Sequence, residues 1–110
     1  MGVNRGDVVL VAAKRDYAVK PRPAVVVQSD LFNPSHASVT LCLITSELQN
    51  APLFRLDLKP TAENGLAKAS QIMVDKIFSA KRENIGRTIG ALDKENMRGV
   101  DRAIKLWLEV

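Results

Sequence analysis

The sequence is poor in the residues that build most catalytic and metal centres. It has one cysteine, one histidine and five aromatic side chains in 110 residues. A single cysteine, Cys42, forms no internal disulfide, which fits a reducing cytoplasm. It lies within an apolar run, so it reads as a buried thiol rather than a nucleophile. One cysteine and one histidine do not make a dedicated zinc site within one chain, so no metal and no cofactor are expected. Tyr17, Phe32, Phe54, Phe78 and Trp107 are too scattered to form a base-stacking platform. No apolar run approaches the roughly 18 residues that a membrane span requires. The opening MGVNRGDVVLV lacks the pattern of a signal peptide, because Asp7 interrupts it early. A soluble cytoplasmic protein with no membrane partner is the expectation.

What is present is an ordinary globular composition, 46% hydrophobic and 25% charged, at a length that suits one domain over residues 1–110. The net charge of +4 weakly favours an anionic partner, such as nucleic acid or an acidic protein.

Patterning points to a mainly β protein. GDVVLVAA at 6–13, RPAVVVQS at 22–29, SVTLCLIT at 38–45, LFRLDLK at 53–59 and SQIMVDKIFS at 70–79 read as strands, and TIGAL offers a short sixth. The second is expected to be buried on both faces at its centre. In the fourth, Phe54, Leu56 and Leu58 share the core face, while Arg55, Asp57 and Lys59 face water. Asn64-Gly65 marks a turn. From Asp93, an N-cap candidate, Met97, Val100, Ile104, Trp107 and Leu108 recur at helical spacing and give an amphipathic C-terminal helix. Strands followed by one helix imply a small, strongly curved antiparallel sheet or barrel capped by that helix.

KPRPAVVVQSD, residues 20–30, places Arg22 between two prolines at the mouth of a strand. Pro21 and Pro23 fix their own φ, and they bias Lys20 and Arg22 away from the helical region. A guanidinium on so stiff a backbone loses little further freedom when it holds a phosphate. It is always charged and can bind two phosphate oxygens together.

These segments, in order, resemble the MazF/PemK toxin family: RGDVVLV, KPRPAVVVQSD followed by LFN, VTLCLITSE, APLFRL, GL and SQIMVDKI. The resemblance runs from about Arg5 to the C-terminal helix. It implies an SH3-like barrel, a homodimer, endoribonuclease activity on single-stranded RNA such as mRNA, and a cognate antitoxin protein. It implies catalytic roles for Arg22 and for Thr45, which closes the third strand. Ser46 beside it, Tyr17 and Lys20 in the first connecting loop, and Asp75 in the fifth strand are candidate substrate-binding residues. Tyr17 suits stacking on a base, Lys20 a phosphate, and Asp75 an RNA contact or the orientation of Arg22. Where many relatives read Arg-Thr-Ile-Asp, this chain has Phe78-Ser79-Ala80-Lys81, so a second arginine from that strand is missing. His36, in the turn-rich NPSHAS segment, has no catalytic role in the matching motif. Two other functions remain open: a gyrase poison like the CcdB relatives, whose tail carries Trp followed by Gly-Ile where this chain ends WLEV, and an SH3-like binding module without activity.

Overall fold

A computed structural model of the chain describes residues 2–12 and 20–110. Six strands run β1 (Asp7–Val11), β2 (Arg22–Val26), β3 (Ser38–Thr45), β4 (Arg55–Leu58), β5 (Ser70–Lys81) and β6 (Ile85–Ala91). A 3-10 turn (Arg82–Asn84) links the last two, and α1 (Lys94–Leu108) ends the chain. All pairings are antiparallel, in the order β4-β5-β3-β2-β1-β6.

The sheet curves because its ladders are broken at defined points. β3 and β5 pair as Cys42↔Ile77 and then as Ile44↔Ile72, so extra residues of β5 are accommodated there and the long strand bends. β1 and β6 shift register twice. The segment after β4 closes the two edges towards each other: the Ala91 N–H donates to the Glu63 carbonyl, 2.8 Å away. That segment is organised by Asn64, whose Oδ1 accepts from the Thr61 and Leu66 N–H groups while its Nδ2 donates to the Lys59 carbonyl. Gly65 then takes φ +70°, and a Cβ there would lie 2.1 Å from the Ile89 carbonyl oxygen. This is the small barrel expected from the strand pattern, with one helix against it.

Both sides of the sheet are covered. Val8, Val25, Cys42, Ile44, Ile72 and Val74 form one core with Val100 and Ala103 of α1. Val9, Val11, Ala24, Val26, Val39 and Leu41 form a second on the opposite face. The centre of β2 is therefore buried on both sides, as its apolar run predicts. Asp93 caps α1 by accepting from the Asn96 N–H. The last turn of the apolar stripe is not covered: Trp107 is half-exposed, its ring 5.6 Å from that of Phe54, and Leu106 and Leu108 face outward. No helix among the described residues is long and apolar enough to cross a membrane.

The element bounds differ from expectation in five strands: β1 is shorter, Asp7–Val11, β5 runs on to Lys81, and β2, β4 and β6 change as follows. β2 stops at Val26 because the Val27 and Gln28 N–H groups both turn to one acceptor, the Thr40 carbonyl. β4 starts at Arg55, since the Phe54 and Arg55 N–H groups close a turn onto Ala51. β6 is longer than TIGAL, beginning at Ile85. The outward face of β4 is also less wet than the alternation implies. Asp57 and Lys59 are exposed, but Arg55 is half-buried and bonded to the Glu47 carbonyl and to Gln71.

Candidate active site

Arg22 opens β2 opposite Val11 of β1. On its other side, β2 pairs with β3 through Val26↔Leu41, Val25↔Cys42 and Ala24↔Leu43. Carried two residues past its last pair, that register sets Arg22 level with Thr45, on the face that carries Ala24 and Leu43. The two residues most strongly implied as catalytic are thus brought together from positions 22 and 45. Arg22 is exposed, and its guanidinium makes no hydrogen bond or ion pair with any described residue. Thr45 is buried, and its Oγ1 accepts from the Glu47 N–H at 3.0 Å, the closure of a short hydroxyl turn. Its O–H remains a donor.

Arg22 stands at a cavity of about 740 Å³. Val11, Leu43, Phe78 and Ala80 supply an apolar wall, and Glu83 and Lys81 also border it. The stretch Phe78-Ser79-Ala80-Lys81, where an arginine was missed, therefore lies beside Arg22. Phe78 gives the cavity an aromatic wall in place of a cation.

The ladder continues the polar residues beyond Thr45. Thr45 pairs with Gln71 of β5, and Gln71 with Asp57 of β4. Arg22, Thr45, Gln71 and Asp57 thus form one row across β2, β3, β5 and β4. Gln71, Asp57 and Arg55 were not among the sequence candidates. The one available signal was Gln71 itself, an amide inside the apolar run SQIMV.

The remaining candidates lie at different distances from this row. Ser46 follows Thr45 directly and is exposed, as is Lys20, two residues before Arg22. Asp75 sits in the irregular part of β5, half-buried, with a buried Oδ1 that has no hydrogen-bond partner among the described residues and no bond to Arg22. Tyr17 lies outside the described residues. His36 is exposed, and its backbone carbonyl accepts from Arg82.

Charged groups elsewhere serve the scaffold. Arg5 ties three parts of the fold together: Nε donates to the Val27 carbonyl, Nη2 pairs with Asp101 of α1 at 2.5 Å, and the backbone N–H donates to Asp30. That N–H bond, followed by the one from Asn33, holds the Asp30 carboxyl below its ordinary range. Burial pushes the Cys42 thiol up to about 12, against a small opposing pull from Arg5. At neutral pH it is a protonated, apolar core group. Among the described residues, no three His, Cys, Asp or Glu side chains come together as a metal would require.

Comparison with known proteins gives the same assignment. Residues 4–108 match the family described as PemK-like, MazF-like toxins of type II toxin-antitoxin systems. A probable endoribonuclease MazF of Mycolicibacterium smegmatis is 35% identical over 108 residues, 98% of each chain. Endoribonuclease EndoA of Bacillus subtilis is 29% identical over 90 residues, 79% of this chain and 75% of that one. Among solved structures, a mycobacterial endoribonuclease in complex with its cognate antitoxin superposes with a TM-score of 0.82, at 18% identity, over 98% of this chain and 96% of that one. MazF of Deinococcus radiodurans gives 0.81 at 18% identity, over 100% and 99%. With a family match across nearly all of its length and a relative above 30% identity over the whole of it, this chain belongs to the PemK/MazF-like toxins of type II toxin–antitoxin systems.

Proposed function

We propose that this chain is a toxin endoribonuclease that cuts single-stranded RNA, mRNA in the cell, by attack of the ribose 2′-OH on the adjacent phosphate. The observation that supports the reading is an exposed Arg22 at the edge of an apolar-walled cavity, in a strand whose register, continued two residues, sets it level with Thr45. The reaction needs charge stabilisation on the phosphorane, and the Arg22 fork meets two non-bridging oxygens there at once. The Thr45 hydroxyl donates to the same phosphate or to the 2′-OH. The 2′-OH proton passes to water as the O2′–P bond forms and the P–O5′ bond breaks, and a proton from water completes the 5′-hydroxyl beside the 2′,3′-cyclic phosphate. Because the nucleophile is already part of the substrate, no metal is needed to generate it.

Around this centre, Lys20 and Ser46 border the site from the strand ends, Lys20 suited to a flanking phosphate. Tyr17 is assigned to stacking and Asp75 to a contact further along the RNA. A cognate antitoxin and a second copy of the chain are the expected partners, and the cytoplasm, where mRNA lies, is the expected location. The uncovered last turn of α1 offers apolar surface for such contacts.

The test is to incubate the purified protein, in EDTA, with a long RNA of known sequence and to map every end. Cyclic phosphates and 5′-hydroxyls at defined sites, lost in Arg22→Ala, are expected. A folded protein that leaves varied single-stranded RNAs intact overturns the reading, as does full activity in that variant. A supercoiling assay with gyrase addresses the poison reading separately.

A further inference from the structure

We propose that Gln71 is the positioning residue of this site, holding Thr45 and Ser46 in place through the segment that follows them; the inference rests on the functional reading above. Gln71 is buried and its amide is fully used. Nε2 donates to the Gln49 carbonyl at 2.9 Å and to Asp57 Oδ1 at 2.8 Å. Oε1 accepts from the Gln49 N–H at 3.0 Å and from Arg55 Nη1 at 3.1 Å. The partners fix which end is which, since a carboxylate only accepts and a guanidinium only donates.

Two of these bonds act directly on residues 46–50, and a third acts on them through Arg55. Gln71 grips both backbone groups of Gln49. Arg55, bonded to Gln71, also donates to the Glu47 carbonyl at 2.9 Å. The Glu47 N–H in turn donates to Thr45 Oγ1. The hydroxyl proposed to touch the substrate is therefore set at one end of a chain of bonds whose fixed point is the Gln71 amide. Gln71 also sits directly opposite Thr45 in the β3–β5 ladder, on the side away from Arg22. Ser46, exposed between two held residues, is oriented by the same bonds.

Gln71→Met keeps the length of the side chain and removes all four hydrogen bonds. A folded Gln71→Met protein is expected to lose about ten- to a hundredfold in kcat on a short single-site RNA, with KM changed by less than about twofold, because alignment of reacting groups is lost while binding is kept. Gln71→Glu keeps both acceptors but sets a carboxylate against Asp57; activity falls, and Asp57→Asn in the same chain restores much of it by supplying the missing donor. Amide hydrogen exchange at Glu47 and Gln49 speeds up in Gln71→Met, a readout that needs no RNA. A folded Gln71→Met enzyme with wild-type kcat overturns the inference, as does an activity loss that only follows the folded fraction. So does failure of Asp57→Asn to rescue Gln71→Glu, the comparison that decides if Gln71→Met does not fold. If the wild-type protein cuts no RNA, the functional reading falls, and unchanged exchange at Glu47 and Gln49 then overturns the positioning role as well.

Discussion

Arg22 and Thr45 end neighbouring strands two residues beyond the Ala24↔Leu43 pair, so the register sets them level, although the chain between them makes a full excursion through the NPSHAS segment. The prolines flanking Arg22 stiffen its backbone, and burial holds Thr45. Such a pair needs no rearrangement to meet a phosphate, so the geometry of the guanidinium is predicted to matter as much as its charge. Arg22→Lys keeps the charge and loses the planar fork. Its kcat is expected to fall by about tenfold or more, a cost above about 1.4 kcal/mol in the barrier. Single-turnover cleavage checks this, and wild-type rates in Arg22→Lys count against bidentate binding.

Thr45 separates two roles of one hydroxyl. Thr45→Ser keeps the oxygen that accepts from Glu47 and is expected to stay active. Thr45→Val keeps the shape but removes the acceptor of the Glu47 N–H, at about 0.5–1.5 kcal/mol of stability because water reaches the exposed Glu47. It also loses the donor to the substrate. Chemical unfolding together with kcat measures the two losses, and an active, stable Thr45→Val protein contradicts both.

Gly65 closes the barrel. Its φ of +70° and the 2.1 Å approach of a Cβ to the Ile89 carbonyl leave no room for a side chain. Gly65→Ala is expected to lose at least about 2 kcal/mol, because backbone rather than a flexible side chain must move. Urea denaturation gives the value, and a midpoint equal to wild type would show that the loop yields freely.

Cys42 contributes one component of stability that is lost at alkaline pH. Its folded value near 12 lies above the ordinary 9.0, so the folded state favours the protonated thiol. The contribution is complete below pH 9 and declines as pH rises towards 12, because the unfolded chain ionises first. Cys42→Ala lacks that component, although the smaller side chain lowers its stability throughout. Unfolding free energies at several alkaline pH values test this: parallel curves for the two proteins refute it.

Much of this was written in local sequence. The Asn64-Gly65 turn and the Asp93 cap with its helical stripe depend on neighbours within a few residues and lie where patterning puts them, while the period-2 run of β4 is found with a shorter span. Arg22 and Thr45 were legible through the family resemblance, and their adjacency came from register. What did not show was anything set by non-local pairing. β2 ends early because Thr40, from the next strand, takes two N–H groups. Gln71 looks like a lone amide in an apolar strand until Gln49, Arg55 and Asp57 are brought round it from both sides. Phe78 becomes a wall only when β5 passes beside β2's partner Leu43.

The row from Arg22 to Asp57 has one further consequence. Neighbouring strands lie about 4.8 Å apart, so the row spans about 14 Å, with a cation at one end and a carboxylate at the other. Arg55, whose Nη1 donates to Gln71, brings a second cation beside the carboxylate end. Charge is thus graded along the row: Arg22 is exposed at one end, while at the other Arg55 and Asp57 both bond to the Gln71 amide and offset one another.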